Sequence, residues 1–131
     1  MNPNVSIIGS GLTGPLLSTI LAKRHNMKIN MFERSPDPRT SNKFSGRSIN
    51  LALSKRGIDA LKYADVYNKK FESLLIPMYW RTIHPKEENV TFQPYGNKDG
   101  HFINSVSRAS INQMLIEHAQ KTGNVDIHFN M

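Results

Sequence analysis

The stretch from residue 5 to residue 33 constrains the fold more than any other part of the chain. Residues 5–8 form a β-branched run that leads into a glycine-rich turn, which indicates a buried strand. Five apolar residues then recur at the spacing of a helix: Leu12, Leu16, Leu17, Ile20 and Leu21. Residues 28–32 form a second strand-like run, and Pro15 is tolerated because it falls in the first helical turn. This order predicts a strand, a helix and a parallel strand, which is the βαβ unit of an α/β fold.

The turn between the first strand and the helix has the spacing GxGxxG. Gly9 permits a tight turn, Gly11 lets a ligand approach the backbone, and Gly14 lets the helix pack close to the strand. Glu33 follows at the end of the second strand, where a carboxylate accepts hydrogen bonds from ribose hydroxyls. These features predict a Rossmann-like dinucleotide-binding fold with the pyrophosphate at the positive end of the helix. The alternative is an ordinary glycine turn beside a solvated Glu33.

The distribution of charged residues excludes few classes of binding partner. Residues 21–70 hold 12 of the 17 basic side chains but only four of the ten acidic ones, in a chain of net charge +7. Such a region suits nucleic acid, an acidic lipid surface, a phosphate-bearing cofactor or simply a solvated face. Nucleic acid is disfavoured because no aromatic residues interleave with the basic ones. NAD and FAD both remain, and Arg34 beside Glu33 leaves NADP open as well.

Several kinds of site and segment are disfavoured by what the sequence lacks. The chain has no cysteine, so we expect no disulfide, no thiolate metal ligand and no cysteine nucleophile. Its five histidines show neither HExxH nor paired spacing, so we expect no metal site. No apolar run approaches the ~18 residues of a membrane span, and we expect no targeting segment before the first strand.

The rest of the chain alternates helical and strand-like segments. Residues 34–47 are predicted to form a long loop, and Ser54 is predicted to cap a helix. Four further strands are predicted, at residues 77–84, 90–95, 102–105 and 125–129. Ser107 is predicted to cap a second helix, whose apolar residues recur at helical spacing: Ile111, Met114, Leu115 and Ala119. The fold class is therefore α/β, a parallel sheet with a small antiparallel strand insertion at residues 77–105.

Several motifs outside the glycine turn are not explained by fold rules. The sequence GRSINLALS occupies residues 46–54, between RSPDPR and KRGIDAL. Five more motifs follow in order, IPM, RTIH, QPYG, SVSR and NVDIHFN, at residues 76–78, 81–84, 93–96, 105–108 and 124–130. In these motifs the chain resembles the N-terminal part of the FAD-dependent aromatic hydroxylases. The resemblance covers nearly all of the chain.

The resemblance implies a bound FAD, its reduction by NADPH, and hydroxylation of L-kynurenine with O2. It implies that residues 1–131 supply part of an FAD-binding domain, with residues 77–105 inserted towards a substrate domain. The residues implied to contact FAD are Gly9, Gly11, Thr13, Gly14, Phe32, Glu33, Arg34, Ser35, Ala52 and Arg108. Arg81 and Tyr95 are implied to hold the substrate carboxylate, since arginine binds a carboxylate through two parallel hydrogen bonds. No side chain is implied to be a nucleophile, because the chemistry belongs to the flavin.

Three features depart from the family pattern. Pro15 directly follows the third glycine, and Tyr79-Trp80 replaces a basic residue and a smaller one. Family members are several hundred residues long, and Asp99-Gly100 is predicted to be a hairpin turn rather than their later flavin-binding Gly-Asp motif. We therefore expect an N-terminal fragment that is inactive alone, and the alternative is a stand-alone, non-catalytic dinucleotide-binding module. The resemblance implies tryptophan degradation in the cytoplasm, or on the mitochondrial outer membrane if the protein is eukaryotic.

Overall fold

The computed structural model describes residues 4–40, 49–86, 89–96 and 101–131. Those residues form two three-stranded sheets, one two-stranded sheet and four helices. In chain order the elements are β1 (Asn4–Ile8), α1 (Thr13–His25), β2 (Lys28–Phe32), β3 (Asn50–Leu53), α2 (Lys55–Tyr63), α3 (Lys69–Glu72), β4 (Ile76–Met78), β5 (Trp80–Ile83), β6 (Thr91–Pro94), β7 (Ile103–Ser107), α4 (Arg108–Lys121) and β8 (Val125–His128).

The first sheet is parallel and has the strand order β1-β2-β8. β1 and β2 pair along their whole lengths, and α1 connects them, so the predicted βαβ unit is confirmed. Ile29 and Met31 of β2 are buried in one cluster with Ala22 of α1 and Ala119 of α4. The alanines let both helices lie close to the sheet. This packing fixes the carboxyl ends of β1 and β2, where the glycine turn begins.

The second sheet is antiparallel and has the strand order β3-β7-β4. Val106 of its central strand is buried with Leu61 of α2, Phe71 of α3 and Leu115 of α4. Because α4 contributes to this cluster and also to the cluster of the parallel sheet, it connects the two sheets.

β5 and β6 form an antiparallel hairpin in which Arg81 pairs with Gln93. Every residue of both strands is exposed. The two largest apolar side chains, Trp80 and Phe92, are 61% and 69% exposed. Strand pairing, rather than burial, therefore gives the hairpin its shape.

Two predictions about strands need correction. Residues 77–84 do not form one strand: β4 pairs with β7 and β5 pairs with β6, so the chain changes sheets at Tyr79. The strand predicted at residues 102–105 runs from Ile103 to Ser107 and is the central strand of its sheet, because both β3 and β4 pair with it.

Two predicted helix caps have different outcomes. Ser107 caps α4 as predicted, since its Oγ accepts a hydrogen bond from the N–H of Ser110 at 3.4 Å. Ser54 stands at the N-cap of α2 in an extended conformation, but its side chain makes no capping hydrogen bond. The short helix α3 was not predicted, and the predicted turn at Asp99-Gly100 lies outside the described residues.

Candidate functional site

The glycine turn (residues 9–14) follows β1 and leads into α1. Gly9 has a φ of +97°, a conformation that favours glycine, and its N–H donates to the carbonyl of Phe32 at 2.8 Å. A Cβ on Gly14 would lie 2.1 Å from the carbonyl oxygen of Gly9, so only glycine lets α1 approach the end of β1 this closely. A Cβ on Gly11 would meet nothing within 4 Å, which leaves open space beside the backbone of the turn.

The N-terminus of α1 carries no acidic residue in its first turn. Its free N–H groups and helix dipole therefore favour an anion there. Pro15 is the third residue of α1 and is buried, and the helix continues past it to His25. At that position the missing N–H has no partner to lose, so Pro15 does not interrupt the helix. Thr13 is exposed at the start of the same helix.

Glu33 folds back from the end of β2 onto the glycine turn. One carboxylate oxygen accepts hydrogen bonds from the N–H of Ser10 at 2.7 Å and from its hydroxyl at 3.2 Å, and the other accepts the N–H of Ser35 at 2.8 Å. Burial raises the pKa of Glu33, but these hydrogen bonds outweigh it and hold the pKa below its ordinary value. Glu33 is therefore a carboxylate at neutral pH, with lone pairs left for further donors.

A cleft of about 420 Å³ opens at the carboxyl ends of β1 and β2. It is lined by Ile8, Gly9, Phe32, Glu33, Arg34 and Met131. Phe32 stacks on His128 of β8 with the ring centres 5.0 Å apart. Ligands of open parallel sheets bind at this edge, outside the carboxyl ends of the strands.

Sequence reasoning missed one residue that contacts the glycine turn. Asn112 of α4 donates from its side-chain amide to the carbonyl oxygens of Ser10 and Gly11, at 2.7 and 3.0 Å. About a hundred residues separate these partners in the chain. The sequence held only a weak signal for this contact, an asparagine in the first turns of a helix next to SVSR.

Ala52 and Arg108 belong to the second sheet and to the start of α4, and neither lines the cleft. Ala52 is exposed on β3 and pairs with Ser105. Arg108 is exposed and lies four residues before Asn112, so the two share a face of α4. That face is the one that reaches the glycine turn. Arg108 therefore lies on the face of α4 that is next to the glycine turn, whereas no hydrogen bond joins Ala52 to that turn in the described residues.

Arg81 and Tyr95 lie on the hairpin, apart from the cleft. Arg81 pairs with Gln93, and Tyr95 follows Gln93 by two residues, so the two predicted substrate-binding side chains share one face of the hairpin. The N–H of Tyr95 donates to the carbonyl of Tyr79 at 3.0 Å and extends the pairing. The guanidinium of Arg81 donates to the side-chain oxygen of Gln93, from Nε at 2.9 Å and also from Nη2.

Two features are absent from the described residues. In residues 4–40, 49–86, 89–96 and 101–131, no three histidine, cysteine or acidic side chains are grouped as a metal site would need. No helix in those same ranges has the length and apolar character needed to cross a membrane.

The amino-acid sequence of the chain is similar to one group of enzymes. No protein-family model matches the chain. A kynurenine 3-monooxygenase from Legionella pneumophila (strain Corby) is 41% identical over 128 residues, which are 98% of this chain and 28% of that enzyme. One from Myxococcus xanthus (strain DK1622) is 42% identical over 125 residues, 95% of this chain and 26% of that enzyme. The chain is similar to kynurenine 3-monooxygenases. The resemblance to FAD-dependent aromatic hydroxylases is therefore confirmed.

The fold agrees with this similarity. The crystal structure of PqsL from Pseudomonas aeruginosa, described as a probable FAD-dependent monooxygenase, matches with a TM-score of 0.76 at 15% identity, over 99% of this chain and 33% of that one. The structure of CtdE in complex with FAD matches with a TM-score of 0.69 at 17% identity, over 99% of this chain and 30% of that one. At such low identities the likeness is one of fold, and it confirms the predicted α/β class.

The chain spans little more than a quarter of the kynurenine 3-monooxygenases that it matches. Neither these similarities nor the fold tests the role of an individual side chain. The roles predicted for the FAD-contacting residues, for Arg81 and for Tyr95 stay predictions, as do the domain boundaries.

Proposed function

We propose that this chain forms the adenosine and pyrophosphate half of the FAD site in a flavin-dependent monooxygenase. The observation that carries the proposal is the contact between the Glu33 carboxylate and the glycine turn, at the mouth of a cleft beside the N-terminus of α1. This contact brings a ribose acceptor and a phosphate-binding helix end to one edge of a parallel sheet.

The described residues fit the adenosine end of FAD. The Glu33 carboxylate keeps lone pairs free for ribose hydroxyls, and Arg34 lines the same cleft. The space beside Gly11 admits a pyrophosphate close to the backbone. Thr13 and Ser35 flank these two positions, at the start of α1 and after β2.

The proposed reaction is that of the relatives, hydroxylation of L-kynurenine to 3-hydroxy-L-kynurenine with NADPH and O2. FAD supplies the redox chemistry when bound, and the chain supplies binding and orientation. On the hairpin, Gln93 holds the Arg81 guanidinium while other N–H groups of Arg81 remain for a ligand carboxylate. Tyr95 adds a hydroxyl on the same face. This reaction would belong to tryptophan degradation.

A second candidate function is a dinucleotide-binding module that does not catalyse hydroxylation. It is favoured by the lining of the cleft, which in the described residues includes neither Arg81 nor Tyr95. We propose that these 131 residues, as an N-terminal part of such an enzyme, do not enclose the flavin ring, which needs walls that exclude water. Incubation with FAD, NADPH and L-kynurenine under air is then expected to give no 3-hydroxykynurenine. Product at an enzymatic rate would contradict this part of the proposal.

The FAD site is tested by Glu33→Ala. The variant is expected to weaken FAD binding by about 1.5–3 kcal/mol, as for the loss of hydrogen bonds to a charged group. Titration of the purified chain with FAD, followed by flavin fluorescence, measures the affinity. Asp59→Ala is the matched control, since it removes an exposed carboxylate that pairs with Lys55 on α2, outside the cleft. Equal FAD affinity in both variants would refute the role of Glu33.

The substrate site is tested by Arg81→Ala in an enzyme that contains this chain. The variant is expected to weaken L-kynurenine binding by about 1.5–3 kcal/mol, because a carboxylate loses charge-assisted hydrogen bonds. Arg81→Lys keeps the charge but not the planar fork, so it should fall between wild type and alanine. Flavin content is measured beside substrate affinity. A variant that lost flavin and kept its affinity for L-kynurenine would show that the role assigned to Arg81 is wrong.

A further inference from the structure

The glycine turn leads directly into α1, but Asn112, which contacts the turn, lies on α4. Its Nδ2 donates to two consecutive carbonyl oxygens, those of Ser10 at 2.7 Å and Gly11 at 3.0 Å. Asn112 is only partly exposed, and it lies on α4, which packs against both sheets. A single side chain therefore ties the turn to the core of the molecule.

The positions of these carbonyls fix the directions of the N–H groups of the turn. In a trans peptide the C=O and the next residue's N–H point in opposite directions, and the structure contains no cis peptide in the described residues. When the carbonyls of Ser10 and Gly11 point at Asn112, the N–H groups of Gly11 and Leu12 point away from it. Within the described part of the chain, no acceptor bonds to these two N–H groups.

Ser10 is held from two sides. Glu33 accepts from its N–H and hydroxyl, while Asn112 donates to its carbonyl. Glu33 comes from the end of β2 and Asn112 from α4, so the turn is clamped between two elements that are themselves packed. The N–H of Ser10 is already engaged by Glu33, so the next two N–H groups, of Gly11 and Leu12, are the ones left without an acceptor in the described residues.

We propose that Asn112 is a positioning residue for the pyrophosphate of the bound dinucleotide. It holds the Ser10 and Gly11 peptides so that the N–H groups of Gly11 and Leu12 face the phosphate. The inference rests on the proposed function, because it assumes a dinucleotide in this cleft. It adds a role for α4, which is more than a packing element between the sheets.

Binding of ADP and adenosine to the purified chain tests the inference. Both ligands carry the adenosine that Glu33 would hold, but only ADP carries a pyrophosphate. Asn112→Ala is expected to weaken ADP binding roughly tenfold and to leave adenosine binding unchanged, because only the phosphate contacts lose their orientation. Asn112→Leu keeps the branched shape and the neutral charge of the side chain but removes the amide donor, so it should show the same selective loss if the alanine variant folds poorly.

Gln113→Ala is the matched control. Gln113 is the next residue of α4, and its side-chain amide also donates to a loop carbonyl, that of Pro38 at 2.7 Å. This control should bind ADP as the wild type does. Wild-type-like ADP affinity in both Asn112 variants, or equal losses for ADP and adenosine, would overturn the inference while FAD binding by the wild type still stood. A wild-type chain that bound neither ADP nor FAD would instead overturn the proposed function, and the inference with it.

Discussion

The parallel-sheet unit (β1, α1, β2, α4 and β8) and the hairpin (β5 and β6) hold their predicted binding residues in different ways. In the first, Met31 is 0% exposed, and two helices pack on the face of the sheet that carries it. In the second, every strand residue is exposed. Glu33 is anchored by three hydrogen bonds, from two backbone N–H groups and one hydroxyl, whereas Arg81 is held by Gln93 alone in the described residues. The difference indicates that the predicted cofactor-binding residue is held by hydrogen bonds beside a packed sheet, whereas the hairpin face is held by strand pairing.

The largest expected effect is a difference between the two regions in how much a truncated apolar side chain lowers the free energy of unfolding. Met31→Ala should lower the free energy of unfolding by about 2–5 kcal/mol, because it leaves a cavity in a fully buried cluster. Phe92→Ala in the hairpin should change it by no more than about 0.5 kcal/mol, since Phe92 is 69% exposed. Urea denaturation of both variants measures the two changes. Similar losses would break the comparison and show that the hairpin packs against the rest of the chain in solution.

A second prediction compares two glycines of the glycine turn. Gly14→Ala places a Cβ against the carbonyl oxygen of Gly9 and should destabilise the fold by about 1–3 kcal/mol, as overpacking does. Gly11→Ala places its Cβ in open space and should leave stability almost unchanged while it weakens FAD binding. Unfolding curves and FAD titrations of the two variants check this. If Gly11→Ala bound FAD normally, the space beside Gly11 would not be the pyrophosphate site.

The smallest effect concerns pH. Burial, with Lys121 and Lys23 nearby, holds the pKa of His118 below its ordinary value of 6.5, although Glu117 opposes this. The unfolded chain then binds the proton more readily than the folded one, so His118 makes stability fall as the pH drops below about 6.5. His118→Gln should flatten this part of the profile, whereas His84→Gln, after the exposed hairpin strand, serves as control. Denaturation at pH 7.5 and at pH 5.5 measures both, and identical slopes in wild type and His118→Gln would contradict the prediction.

Much of the parallel-sheet unit could be predicted because its signals are local. Strand, turn and helix follow one another within 33 residues, and each is specified by periodicity or by glycine spacing. The strand pairing of the hairpin region could not be predicted in the same way, because nothing in residues 77–84 marks the change of sheet at Tyr79. The sequence pattern of a strand does not depend on which strand it pairs with. The pairing partner depends on which strands the tertiary fold brings close together.

The sequence by itself determined the βαβ unit, the conformation of Gly9, and Ser107 as the cap of α4. Only the tertiary structure decided that Asn112 reaches the carbonyls of Ser10 and Gly11 across about a hundred residues. A helix cap is formed by neighbours a few residues away, and the spacing of the glycines marks where the turn lies, so a local pattern predicts both. A contact between α4 and the glycine turn exists only once both sheets have packed against that helix, and no local pattern records it.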